Sequence, residues 1–144
     1  MILYLLDTDT LSLLLRRDLI VQDFVKALPP QEFGTSIISY EEQIVGRFAQ
    51  LRRARTTKET VDAYEWLQKT VELLAPIPLV GFAEASLMRF EALLALKLNV
   101  GPNDLRIASV ALEIGAAVVT RNLRDYSRVP GLRIATWVEP KGEE

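Results

Sequence analysis

The apolar run 2–6 has no polar break and is too short for a helix, which predicts a strand buried on both faces. Asp7-Thr8-Asp9-Thr10 then supplies helix-starting side chains, and Leu11, Leu13, Leu14 and Leu15 carry the helix forward. Val21, Phe24, Val25 and Leu28 recur at helical spacing until Pro29-Pro30 stops the run. Residues 34–39 predict a second central strand. Over about 41–55, Ile44, Val45, Phe48 and Leu51 mark one apolar stripe with cations on the opposite side. Thr56-Thr57 reads as a break and cap. Val61, Tyr64, Leu67, Val71 and Leu74 mark a further helix, paired with the preceding one as a hairpin. Residues 76–80 are extended, a short edge strand, and Ala83, Leu87, Phe90 and Leu94 line the next helix. Gly101-Pro102 opens another, with Ile107, Ala111 and Ile114 inward and Gly115 placed to end it. Residues 116–120 predict a third buried strand, and the alternation over 132–137 a fourth.

Strands separated by helices predict an α/β fold: a three-layer sandwich whose central, mostly parallel sheet of four or five strands is flanked by helices. No repeat, low-complexity block or linker divides the 144 residues, so 1–140 are expected to form one domain and 141–144 a frayed tail. The apolar stretches are far shorter than a membrane span, and cytoplasm is the expected compartment. A net charge of −2 identifies no partner, but cations cluster locally. Arg47, Arg52, Arg53, Arg55 and Lys58 read as a solvated helix face. Arg121, Arg124 and Arg128 fall beside a candidate site residue, where they suit phosphates.

The chain contains neither histidine nor cysteine. That excludes a Ser-His-Asp triad, a Cys-His pair, a His/Cys zinc site and a disulfide scaffold. What remains is carboxylate chemistry, which points to a hard divalent cation. In parallel α/β sheets, sites form at the carboxyl ends of strands. Asp7, the turn leading to Glu42, and Thr120-Arg121-Asn122 all fall there. Each acid also has a plain structural reading. Asp7 would cap a helix, although Thr8, Asp9 or Thr10 would serve as well. Glu42 completes an S-x-x-E capping box with Ser39, and Glu41 competes with it for the site. Asp104 sits in the first turn after Pro102, where the helix dipole favours any acid. Asn122 and Asp125 form a fourth candidate pair, with Asn122 capping a helical turn. Clustered carboxylates repel by about 4 kcal/mol per pair at ~4 Å and an effective dielectric near 20, a cost that bound Mg²⁺ or Mn²⁺ removes.

Four segments in order resemble the PIN-domain nucleases. They are Leu5-Leu6-Asp7-Thr8-Asp9, Ser39-Tyr40-Glu41-Glu42-Gln43-Ile44-Val45-Gly46, Gly101-Pro102-Asn103-Asp104-Leu105-Arg106-Ile107-Ala108 and Val119-Thr120-Arg121-Asn122-Leu123-Arg124-Asp125-Tyr126. Arg128-Val129-Pro130-Gly131-Leu132 and Trp137 are similar to the VapC-like toxins within that family. The resemblance runs from residue 1 to about 138. It implies a metal-dependent ribonuclease, the toxin of a toxin–antitoxin pair, with RNA as substrate, an antitoxin partner and a homodimeric state. By position, Asp7, Glu42 and Asp104 match the family's metal-binding catalytic acids, and Gly46 selects Glu42 over Glu41. Thr8, Asp9, Thr120 and Asn122 would support the site, and Arg121 or Arg124 would clamp a phosphate. Asp9 stands where many relatives carry Asn. Asn122 stands where others carry a fourth acid, leaving either Asn122 or Asp125 as the fourth metal position. A phosphatase with a D-x-D nucleophile is the rival enzyme, disfavoured because Leu11 replaces its required Thr or Val. A non-catalytic PIN-fold binding module would need a broken acidic set.

Overall fold

The N-terminal apolar run becomes β1 (Tyr4–Leu6), the middle strand of a parallel sheet ordered β3-β2-β1-β4-β5 in a computed structural model that describes residues 1–139. The expected tail at 141–144 lies outside the described residues. β2 (Phe33–Ser36) and β4 (Ala117–Val119) flank β1, and β3 (Leu79–Val80) and β5 (Ile134–Ala135) form the edges. The helices are α1 (Thr8–Leu15), α2 (Leu19–Ala27), α3 (Ile37–Arg53), α4 (Thr57–Leu74), α5 (Glu84–Ala95), α6 (Pro102–Ile114) and α7 (Leu123–Tyr126).

Alternation along β1 and β4 divides the core into two layers. Leu5 and Val118 pack with Phe90, Leu93, Leu105 and Tyr126, so α5, α6 and α7 cover one face. Leu6 and Val119 pack with Leu11, Val21, Leu74 and Trp137, so α1, α2 and the end of α4 cover the other. The expected sandwich is therefore observed, with five strands, all parallel. α3 and α4 pack together as the predicted hairpin, and Thr56 caps α4 by accepting from the Glu59 N–H at 3.1 Å. Gly115, at φ 71°, ends α6 in the left-handed conformation that glycine adopts without strain.

Two local expectations need correcting. The second strand stops at Ser36 instead of running to residue 39, because the Ser36 hydroxyl accepts from the Ser39 N–H at 3.1 Å and starts α3 at Ile37. The Ser39–Glu42 capping box consequently does not form. The apolar stripes of α3, α4 and α5 also split between core and surface. Val45 and Phe48 are exposed, as are Val61, Tyr64 and Val71 on α4, while Ala63, Thr70 and Leu74 make its buried edge. On α5, Phe90 and Leu93 are buried but Leu87 and Leu94 are exposed. Helical spacing sets one stripe per helix; which edge of a wide stripe meets the sheet depends on the crossing angle of its neighbours.

Candidate active site

The chain winds from β1 to β2 on one side and returns to β4 on the other, so the winding direction reverses between β1 and β4. A crevice at the carboxyl ends of two such strands is the usual site of a doubly wound sheet. Asp7 leaves β1 and Thr120 leaves β4 at that edge, in register through Leu6 and Val119. The Asp7 N–H donates to the Val119 carbonyl at 3.1 Å, and the Thr10 hydroxyl donates to the same oxygen at 3.0 Å. These two bonds fix the start of α1 against β4.

Asp7 is the N-cap of α1, its Oδ1 accepting from the Thr10 N–H at 2.8 Å. The structural reading of Asp7 is thus true, and it is not the whole of it. A cap is ordinarily solvated, whereas Asp7 is only 4% exposed. Burial pushes its carboxyl above the usual carboxylate range, against the pull of the Thr120 and Thr10 hydrogen bonds and with a further push from Asp9. Any of several short polar side chains caps a helix at the surface at less cost.

Glu42 lies in the second turn of α3 and reaches across to α1, where the Thr8 hydroxyl donates to its Oε1 at 2.8 Å. Thr8 Oγ1 is also 3.1 Å from the Ser39 hydroxyl. Gln43, which sequence reasoning passed over, donates through Nε2 to the Thr8 carbonyl at 3.2 Å and to the Ser12 hydroxyl at 2.6 Å. The available signal was a polar residue placed directly between a candidate acid and the apolar Ile44 of the same helix. Glu41 is exposed.

Asp104 occupies the first turn of α6 and accepts from the Tyr126 hydroxyl at 3.3 Å. Burial pushes its carboxyl up, the Tyr126 hydroxyl pulls it down, and the charges of Asp7, Glu42 and Asp125 push it up again. Tyr126, 1% exposed, has its hydroxyl held well above the ordinary phenol range by burial and by Asp7 and Asp104. Its role as the tether of Asp104 was not visible in the sequence.

The loop after β4 makes the expected helical turn. Asn122 caps α7, its Oδ1 accepting from the Asp125 N–H at 3.4 Å, while its Nδ2 donates to Asp125 Oδ2 at 3.0 Å. Thr120 Oγ1 accepts from the Asn122 N–H at 2.8 Å. Arg128 lies 3.6 Å from Asp125 Oδ1. Arg121 grips Asp9 in a two-pronged pair at 2.7 and 2.8 Å, so its charge is already matched, and Arg124 is exposed.

Asp7, Glu42, Asp104 and Asp125 thus come from four chain segments, and the charges of the other three all act on Asp104. As the side chains stand, no three acids among the described residues close on one point tightly enough to hold a metal. The donor chemistry does fit a hard divalent ion: every group is a carboxylate oxygen, and the charges that act on Asp104 are all negative.

No protein-family model matches the chain. Over 142 residues it is 28% identical to a ribonuclease VapC1 of Haemophilus influenzae, covering 95% of this chain and 99% of that one. The fold matches the DNA-bound VapBC structure from Salmonella typhimurium with a TM-score of 0.75 at 22% identity, over 96% of this chain and 100% of that one. It matches a toxin–antitoxin complex from Klebsiella pneumoniae with a TM-score of 0.71 at 24% identity, over 94% and 98% of the two chains. The resemblance seen in the sequence is borne out: the chain is VapC-like in fold and along its length. Among the described residues, no helix is long and apolar enough to cross a membrane.

Proposed function

We propose that this VapC-like chain is a metal-dependent endoribonuclease, the toxin of a toxin–antitoxin pair. It hydrolyses RNA phosphodiester bonds in the cytoplasm as a homodimer and is restrained by a cognate antitoxin. Residues 1–140 act as one PIN-type nuclease domain in this reading. The observation that carries it is the buried Asp7 beside the half-buried Glu42 and Asp104, with Asp7 and Glu42 both pushing the Asp104 carboxyl up, in a chain without histidine or cysteine. The exposed apolar side chains Leu87, Met88 and Leu94 on α5 suit the homodimer.

Asp7, Glu42 and Asp104 would hold Mg²⁺ or Mn²⁺. When bound, the ion supplies positive charge against the phosphodiester and lowers the pKa of water at the site. The chain's own groups set the geometry. Thr10 and Thr120 orient Asp7, the Thr8 hydroxyl orients Glu42, and the Tyr126 hydroxyl orients Asp104. Gln43 locks Thr8 in turn. The D-x-D phosphatase reading loses ground, since Arg121 occupies the carboxylate of Asp9.

Purified protein is expected to cut RNA with Mg²⁺ or Mn²⁺, to stop in EDTA, and to recover when Mn²⁺ is added in excess. Undiminished cleavage in chelator would sink the mechanism, because no other residue type in the chain supplies an equivalent base.

The fourth position has its own test. Asp125 acts on Asp104 electrostatically, whereas Asn122 offers only a neutral carbonyl already engaged as a cap. Asp125→Asn is therefore expected to raise the Mn²⁺ needed for half-maximal cleavage several-fold. Asn122→Ala should instead lower stability by about 0.5–2 kcal/mol through the lost cap, with a smaller change in metal requirement. The opposite ranking in metal titrations would assign the position to Asn122.

A further inference from the structure

Of the two cationic clusters, the one beside the site is matched at two of its three members: Arg121 is paired with Asp9, and Arg128 lies against Asp125 and the Asn99 carbonyl, while Arg124 is exposed. The other contains a cation whose environment asks for an anion. Arg47, on α3, has its Nε shielded from solvent with no hydrogen-bond partner. Its guanidinium lies 5.2 Å from the Trp66 ring centroid, and the Lys69 ammonium lies 5.5 Å from the same ring. An unsatisfied guanidinium donor held on an aromatic face is costly unless a ligand completes it.

The seam between α1 and α3 connects this group to the acids. The two helices touch where Thr8 meets Glu42 and where Gln43 meets Ser12. Arg16, the C-cap of α1, follows Ser12 by four residues and Arg47 follows Gln43 by four, so each continues the face that makes this contact. Burial lowers the Arg47 pKa, and the charge of Arg16 lowers it further. Two arginines facing each other are repulsive alone and favourable once an anion sits between them. Arg47 lies five residues past Glu42, about 7.5 Å further along α3 at 1.5 Å per residue.

We propose that Arg16 and Arg47 form a phosphate-binding subsite for single-stranded RNA, beside Trp66, that positions the strand running from the carboxylates along the α1–α3 seam. Arginine binds a phosphate by two parallel N–H bonds, which the terminal guanidinium nitrogens of Arg16 and Arg47 would supply. Both are positioning residues for the reaction proposed above and rest on that reading.

The test uses the whole chain and a 20-nucleotide single-stranded RNA. Cleavage is measured as kcat and KM with Mn²⁺, and binding in EDTA across a salt series. Arg47→Gln and Arg16→Gln are each expected to raise KM about tenfold with a much smaller effect on kcat. Each should also reduce the slope of log K against log salt by about 0.7, the value for one lost phosphate contact on a single strand. Arg47→Lys should restore part of the salt slope, which a purely structural role would not do. Arg53→Gln, an exposed cation at the end of α3, is the equal-charge control. Unchanged KM and salt slope in folded Arg47→Gln and Arg16→Gln, as judged by circular dichroism, would overturn the subsite while leaving the nuclease reading intact. So would equal losses in Arg53→Gln. A wild type that binds RNA with a slope lowered by Arg47→Gln but does not cut it would overturn the nuclease reading and keep the subsite. A wild type that neither binds nor cuts RNA would overturn both.

Discussion

Asp7→Asn is expected to abolish cleavage, by about a thousandfold or more, while leaving the protein as stable as the wild type or more so. The rate loss corresponds to roughly 4 kcal/mol of transition-state stabilisation. The stability result follows from the burial of the carboxylate. Asparagine keeps the carbonyl oxygen that accepts from the Thr10 N–H at 2.8 Å, so the cap of α1 survives. It removes a charge that burial disfavours. The sign can be worked out from linkage. Because the folded-state pKa of Asp7 is raised, the folded chain binds its proton more tightly than the unfolded chain does. The resulting stability is complete below the ordinary carboxylate range and is lost as pH rises through the elevated folded value. Asp104 acts in the same direction. At neutral pH and without metal, the two ionised acids therefore destabilise the fold. Thermal melts in EDTA should show wild type gaining stability from neutral pH down to the upper carboxylate range, with a smaller gain in Asp7→Asn. Mn²⁺ at neutral pH should raise the wild-type melting temperature and raise that of Asp7→Asn far less. An active Asp7→Asn, or one that melts well below wild type in EDTA, would return Asp7 to a capping role alone.

The strand–helix alternation and the helix caps were legible because they depend on local chemistry. Pro29-Pro30, Thr56, Gly101-Pro102 and Gly115 all end or start helices where the sequence places them. Misreadings arose where a residue had two local options. Ser36 and Ser39 are both adequate caps, and pairing of β2 with β1 only as far as Leu6↔Thr35 decides for Ser36. The apolar stripes were visible, but their exposed edges were not, because a helix pattern does not say how much of a wide stripe one neighbour covers. Asp7 and the segments carrying Glu42 and Asp125 were legible from their places after strands, whereas Asp104, in the first turn of α6 and following α5, stood out only through the resemblance to the PIN-domain motif. The tethers of the acids were not legible: Thr8 to Glu42 spans 34 residues and Tyr126 to Asp104 spans 22, and such contacts exist only once the sheet is assembled. The cations were the least legible. Arg121 lies beside the site in sequence yet is matched by Asp9, whereas Arg47 looked like one of several solvated charges on α3.

Glu42→Gln is the second large effect, and the structure sharpens it. Had Glu42 closed a capping box, its amide would have kept helix stability and said little about chemistry. Ser36 is the cap, however, and the Glu42 side chain crosses to α1 to accept from Thr8. Glutamine retains a carbonyl oxygen for that hydroxyl, so neither the start of α3 nor the α1–α3 contact loses a partner. The expected change in stability is within about 0.5 kcal/mol, the usual range for substitutions that touch no cap, core or buried charge. A divalent ion, in contrast, gains far less from an amide dipole than from a full negative charge. Cleavage by Glu42→Gln should fall about a hundredfold or more, close to 2.7 kcal/mol, and excess Mn²⁺ should recover part of it. Glu41→Gln, next along the helix but exposed, should cut like wild type. If Glu41→Gln is the inactive variant and Glu42→Gln the active one, the second acid of the site is Glu41, and the Thr8 contact serves only to pack α1 on α3.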